Sequence, residues 1–223
     1  MGKTVSFTRP DGKTTSGYLA EPSADGAPGV VMFEEWWGLN DEIKADAEKL
    51  ASGGFRVLVP DLFGGRVATT RDEATHLVSG LDFTDAATQD GRGAALYLQH
   101  SGSAKVGVTG FCIGGALAML CAMHVSEFDA VVTFYGYPPP EAGDPGLIKI
   151  PVMGHWALQD QFYNPPGVEA LETRLKEGGV PYEFYRYDAN HGFCNPKGLG
   201  HYSPENAEIA WKHTIGFFRR ALT

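Results

Sequence analysis

The stretch "VTGFCIGGALAML", residues 108–120, decides how the rest of the chain is read. Its centre, Gly110-Phe111-Cys112-Ile113-Gly114, has the G-x-S-x-G spacing of a nucleophile turn, with a thiol where the hydroxyl would stand. "KVGVTGF" (105–111) before it reads as a buried strand, and "IGGALAMLCAMH" (113–124) after it as a helix. A strand that turns sharply into a helix needs small residues on both sides of the turn, and Gly110 and Gly114 supply them. Cys112 then stands at a helix N-terminus, where the backbone dipole favours a thiolate. The same residues would also suit a buried structural cysteine beside helix-packing glycines. The remainder of the chain has to decide between the two.

Working outward, short strands alternate with helices. Residues 3–9 and 14–20 alternate polar and apolar around "PDGK", a hairpin turned by Asp11-Gly12. "GVVMF" (29–33) is a continuous apolar run, as in a strand buried on both faces. A helix over 41–54 ends in Gly53-Gly54, and a strand follows over 55–63. A polar stretch comes next, then a helix over 85–101. Beyond the central strand and helix, strands are predicted at 128–136, 150–156 and 181–187, and helices at 167–179 and 204–222. "YGYPPPEAGDPG" (135–146) reads as a surface loop. The pattern predicts one α/β domain over residues 1–223, with a mostly parallel sheet, helices on both faces and an antiparallel hairpin at the N-terminal edge.

Composition narrows the functional classes. The hydrophobic fraction of 43% fills a large core, and the 20% of charged residues argues against disorder. A net charge of −9 with no basic block disfavours nucleic acid and anionic membranes as partners. The N-terminus has no apolar signal core, and no apolar run reaches the roughly 18 residues of a membrane span. Three cysteines at unrelated spacings give neither a disulfide framework nor a metal knuckle. A cytoplasmic protein, monomeric or a small homo-oligomer, acting on a small molecule without a cofactor or metal, is the expectation.

In open α/β sheets ligands bind at the carboxyl ends of the strands. Asp160 follows "IPVMGHW" and His191 follows "YEFYRYDAN", so the chain order is Cys112, Asp160, His191. This is the nucleophile–acid–base order that goes with a strand–elbow–helix turn. A thiol mostly protonated near neutrality needs an imidazole within reach, and the imidazole needs a carboxylate to set its tautomer. Asp144 falls too early, in the proline-rich loop. Asp188, three residues before His191, suits a turn cap better. His155 could line a pocket; His124, His201 and His213 read as surface or satisfied core groups. After "GVVMF" comes Glu34-Glu35-Trp36-Trp37-Gly38, where one acid is expected to be solvated and the second to point into the site. Backbone N–H groups of Trp36 and Ile113 are the expected oxyanion donors.

Taken together, "VVMFEEWWGLN", "PDLF", "GFCIGGALA", "TFYGY", "GHWALQDQF" and "NHGF" resemble the dienelactone hydrolase (carboxymethylenebutenolidase) family, over nearly the whole chain. The resemblance implies an α/β-hydrolase fold without a large cap, and a Cys112–His191–Asp160 triad that hydrolyses esters or lactones through a thioacyl-enzyme. It implies that Glu35 contacts the resting thiol. It places a substrate-carboxylate arginine at Arg71 and another four residues after the triad histidine, where this chain has Asn195. That departure points to broader ester or thioester use. Trp36, Trp37, Tyr135, Trp156, Phe162, Phe193 and Tyr202 are candidate pocket walls. A catalytically silent binding or redox-sensing protein is the remaining alternative, which the intact acid and base count against.

Overall fold

The computed structural model describes residues 2–23 and 26–223. Among these residues, eight strands form one sheet in the order β1-β2-β4-β3-β5-β6-β7-β8. β1 (Lys3–Thr8) and β2 (Thr14–Ala20) make the expected hairpin, turned where Gly12 takes φ +84°. β2 pairs antiparallel with β4 (Arg56–Pro60). All other pairs are parallel: β4 with β3 (Gly29–Phe33), β3 with β5 (Val106–Phe111), then β6 (Ala130–Phe134), β7 (Val152–Ala157) and β8 (Tyr182–Tyr187).

Alternation along these strands feeds two cores. Val31 and Phe33 of β3 face α4 (Arg92–His100), α5 (Ile113–His124) and α6 (Pro165–Glu177), through Leu98, Leu117 and Leu171. Val30 and Met32 face α1 (Asp41–Ser52) and α7 (Pro204–Leu222), through Leu50, Trp211 and Phe218. Both faces of every central strand are thus buried, which explains their unbroken apolar sequences. The expected helix over 85–101 is subdivided: a single turn, α3 (Phe83–Asp85), a π-helical stretch Ala86–Gly91 and then α4. Among the described residues no helix is long and apolar enough to cross a membrane.

The stretch read only as polar contains a further helix, α2 (Arg71–Ser79). Thr70 Oγ1 accepts the Glu73 N–H and the Glu73 carboxylate accepts the Thr70 N–H, a reciprocal capping box. That T-x-x-E signature is present in "TTRDEATHLV". Its apolar side is short, Ala74 and Leu77, which is why hydrophobic periodicity alone passes over it.

Topology sets the location of the site. From β3 the chain steps outward to β4, then returns past β3 to β5 and proceeds the other way. The carboxyl ends of β3 and β5 therefore border a switch-point crevice. Close approach is enforced there by glycine. A Cβ on Gly114 would lie 2.5 Å from the Glu34 carbonyl oxygen, and one on Gly110 would run into the Gly114 carbonyl. Gly110→Ala is expected to destabilise the protein by about 2–3 kcal/mol, as overpacking of a closed backbone contact does. Urea denaturation measures this; a loss under about 0.5 kcal/mol would contradict the packing described.

Candidate active site

Cys112 follows β5 with φ +56° and ψ −117°, a conformation that side-chain-bearing residues rarely adopt. Its N–H donates to the Phe134 carbonyl at 3.0 Å, and its own carbonyl accepts the Ala116 N–H at 3.2 Å. The strained residue is thereby pinned between β6 and the first turn of α5, with its sulfur directed outward into a cavity of about 340 Å³. Cys121 and Cys194 are buried away from this opening.

Two other strand ends complete a line of hydrogen bonds. His191 Nε2 lies 3.1 Å from Cys112 Sγ, and His191 Nδ1 lies 2.7 Å from Asp160 Oδ2. A carboxylate can only accept, so Nδ1 carries the proton and Nε2 offers its lone pair to the thiol. Asp160 is held in turn: its Oδ1 accepts the N–H groups of Phe162 (2.8 Å) and Tyr163 (2.9 Å). Asp160 and His191 are both nearly inaccessible. The rings of Tyr135, Phe162 and Tyr163 pack around the imidazole with centroids 5.0–5.7 Å away. The rival acids are committed elsewhere, Asp144 to Arg174 and Asp188 to the Gln159 side chain.

The resting thiol is neutral. Burial pushes its pKa well above the ordinary range, and the charge of Glu35 and, more weakly, of Asp160 adds to the rise; the Ile113 N–H pulls the other way. Glu35 does not hydrogen-bond the thiol, contrary to what the resemblance implies. Its Oε1 accepts from Tyr135 Oη (3.2 Å) and its Oε2 from Asn195 Nδ2 (2.5 Å), so it lies beneath the triad rather than in the cavity wall. Burial raises the Glu35 pKa, which Asn195, His191 and Tyr135 partly offset. Glu34, expected to be the solvated partner, is fully buried. Its Oε1 accepts the Leu62 N–H (3.3 Å), and burial with the nearby Asp61 charge pushes its carboxyl well up.

Trp36 and Ile113 both border the cavity beside the sulfur, where oxyanion donors belong. Val78, Phe162, Tyr163 and Leu199 complete the lining with His191. Val78, Tyr163 and Leu199 are not among the residues the sequence singles out; a helix assignment for 71–79 would point to the first, and its place beside Phe162 to the second.

Several expected wall residues stand elsewhere. Trp156 is in the core, its ring 5.1 Å from Phe184, because its strand neighbour His155 takes the opposite face. Phe193 is fully buried between Tyr135 and Tyr187. Tyr135 supports the site from behind instead of lining it. Trp37 packs edge-on to Trp36 and against the small core around Phe63 and Leu77. Tyr202 is exposed outside the cavity. Arg71 opens α2 on the exposed surface and does not border the cavity either. His155 is a buried structural group: its Nε2 donates to Thr214 Oγ1, Tyr187 Oη donates to its Nδ1 (both 2.9 Å), and burial lowers its pKa to about 3.

Among the described residues, no group of three or more His, Cys, Asp and Glu is placed to hold a metal ion. A larger groove, about 470 Å³ between the proline-rich loop and α6, is lined by the Asp144–Arg174 pair and by none of Cys112, His191, Asp160 and Glu35.

Residues 15–222 match the model of the dienelactone hydrolase family. The protein usf of Aquifex pyrophilus is 34% identical over the full length of both chains. A carboxymethylenebutenolidase of Pseudomonas putida is 26% identical, over 96% of this chain and 94% of that one. In structure, a dienelactone hydrolase-like promiscuous phosphotriesterase from metagenomic libraries superposes with a TM-score of 0.84 at 24% identity, covering 100% of this chain and 99% of the other.

The charge of Glu35 makes a testable contribution to the thiol. Glu35→Gln removes a like charge, so the thiolate forms more easily. The pH midpoint for alkylation of Cys112 by iodoacetamide should fall by about one unit. A midpoint that stays or rises would contradict the electrostatic account.

Proposed function

This chain belongs to the dienelactone hydrolase family and is a carboxylic ester hydrolase, and we propose that it cleaves esters and lactones with Cys112 as nucleophile, His191 as base and Asp160 as orienting acid. The observation that carries the proposal is the unbroken line from Cys112 Sγ to His191 Nε2 and from Nδ1 to Asp160 Oδ2. His191 takes the thiol proton as sulfur attacks the carbonyl carbon. The tetrahedral oxyanion accepts from the Trp36 and Ile113 N–H groups, each contributing about 3–4 kcal/mol of barrier lowering. Collapse expels the alkoxide, which receives the proton from His191; in a lactone it stays tethered. Water, deprotonated by His191, then attacks the thioester, releasing the acid and restoring the thiol. The scheme calls for no cofactor.

Uncharged substrates fit this cavity best. Its lining contains no lysine or arginine: Trp36, Val78, Ile113, Phe162, Tyr163 and Leu199 surround the reacting pair. Arg71 is outside it and Asn195 is engaged with Glu35, so neither offers a carboxylate clamp. A free carboxylate would be desolvated there without a partner, beside Glu35 and Asp160. A second reading, a broad-specificity esterase or thioesterase with little dienelactone activity, draws support from the same observations. We place the protein in the cytoplasm, where a reducing environment suits three unpaired cysteines, and read it as a single catalytic domain over residues 1–223, a monomer or small homo-oligomer.

Cys112→Ala should abolish hydrolysis of nitrophenyl butyrate, whereas Cys121→Ala and Cys194→Ala retain most of it; surviving turnover in Cys112→Ala refutes the mechanism. The wild type should prefer the butyrate to the nitrophenyl hemisuccinate. Val78→Arg, which puts a cation into the lining, should shift that preference towards the hemisuccinate by roughly tenfold in kcat/KM, or about 1.4 kcal/mol. An unchanged ratio would count against the substrate class.

A further inference from the structure

Glu35 is a nearly inaccessible carboxylate within electrostatic reach of both reacting groups: its charge raises the thiol pKa, and the imidazole in turn favours its ionised form. Yet the thiol's hydrogen-bond partner is His191 Nε2, at 3.1 Å, and not Glu35. Both Glu35 oxygens are already supplied with donors, Tyr135 Oη on one and Asn195 Nδ2 on the other. Neither donor is free to leave. Asn195 Oδ1 accepts the Lys197 N–H at 2.9 Å, which fixes the amide so that its nitrogen faces Glu35. The Asn195 N–H is itself tied to the Gly192 carbonyl at 2.9 Å. Tyr135 takes φ +39°, in the left-handed region, and its N–H is bound to the His155 carbonyl at 2.8 Å. It is one of two described non-glycine residues with positive φ; the other is Cys112.

We propose that Asn195 and Tyr135 are positioning residues that lock Glu35 beneath the triad, leaving Cys112 paired with His191 before any substrate arrives. The inference rests on Cys112 being the acyl acceptor. Its consequence is that Cys112 and His191 stand paired for acylation whatever the charge of the substrate. That fits a cavity whose lining offers no cation. Burial, with the acid's charge added to it, still keeps the waiting thiol protonated, while the acid's position leaves the Cys112 Sγ–His191 Nε2 contact in place.

A double-mutant cycle tests the lock. The rate of Cys112 alkylation by iodoacetamide, read from peptide masses, is measured across pH in the wild type, Asn195→Ala, Glu35→Gln and the double variant. In Asn195→Ala, one Glu35 oxygen loses its donor and takes the thiol S–H in its place. Alkylation near neutral pH should slow by about tenfold, with the midpoint rising by about one unit. With Glu35→Gln already in place, adding Asn195→Ala should change the rate less than about twofold. Equal slowing in both backgrounds, or none in the background that retains Glu35, overturns the proposal. Tyr135→Phe keeps the ring against His191 and removes only the hydroxyl. It should slow alkylation in the same direction, and supplies the cycle if Asn195→Ala does not fold. Alkylation reads the thiol rather than ester turnover. A protein that shows the coupling yet hydrolyses no ester would fail the hydrolytic reading alone, and one that hydrolyses esters through Cys112 without the coupling would fail this one alone.

Discussion

The hydrogen bond from the Cys112 N–H to the Phe134 carbonyl, 3.0 Å across the ends of β5 and β6, holds a residue in a backbone conformation costing about 1–3 kcal/mol. The sheet and two helix layers supply the means to hold it. Parallel strands buried on both faces bring the ends of β3, β5, β6 and β7 to one edge in fixed register. Gly110 and Gly114 let β5, α5 and the β3 loop touch backbone to backbone. The sulfur then projects where the loops after β7 and β8 deliver Asp160 and His191. A relaxed turn at Cys112 would direct the same side chain elsewhere and leave the imidazole without a partner.

Two carboxylates divide the electrostatic work. Asp160 touches the imidazole and sets its tautomer; Glu35 lies behind it and acts on the thiol through space. Burial raises the thiol pKa most and their negative charges add to the rise, so the nucleophile waits as S–H. A protonated thiol resists the oxidation that an exposed, permanent thiolate invites. The imidazole, close to both acids, can accept the proton as the sulfur reacts. Three aromatic rings pack round the imidazole, which limits its contact with water and strengthens these charge interactions.

Strands and most helices were legible in the sequence because burial on both faces writes continuous apolar runs, and capping glycines mark where they stop. The order Cys112, Asp160, His191 was legible for a related reason: in this topology catalytic groups sit just past strand ends, which can be counted. Side-chain direction was not legible. His155 and Trp156 are adjacent on β7 and must face opposite ways, but a strand covered on both sides leaves no polar alternation to say which points where. Arg71 was assigned to the pocket by resemblance, and the helix that places it on the outer surface announces itself by a capping box rather than by an apolar stripe. Asn195 was read as a lost substrate contact. Its attachment to Glu35, a residue 160 positions away, depends on a turn after His191 that fixes the amide from its other end.

The central claim is that acyl groups pass through the sulfur of Cys112. Trapping that intermediate tests it most directly: the protein is mixed with excess nitrophenyl ester of a slowly hydrolysed acyl group, quenched in acid within one turnover and digested, and the peptide masses are measured. The account predicts one added acyl mass on the peptide carrying Cys112, absent from those carrying Cys121 and Cys194 and decaying as free acid is released. Ester hydrolysis that proceeds with no acyl mass on Cys112, or with the acyl mass on another residue, would contradict it.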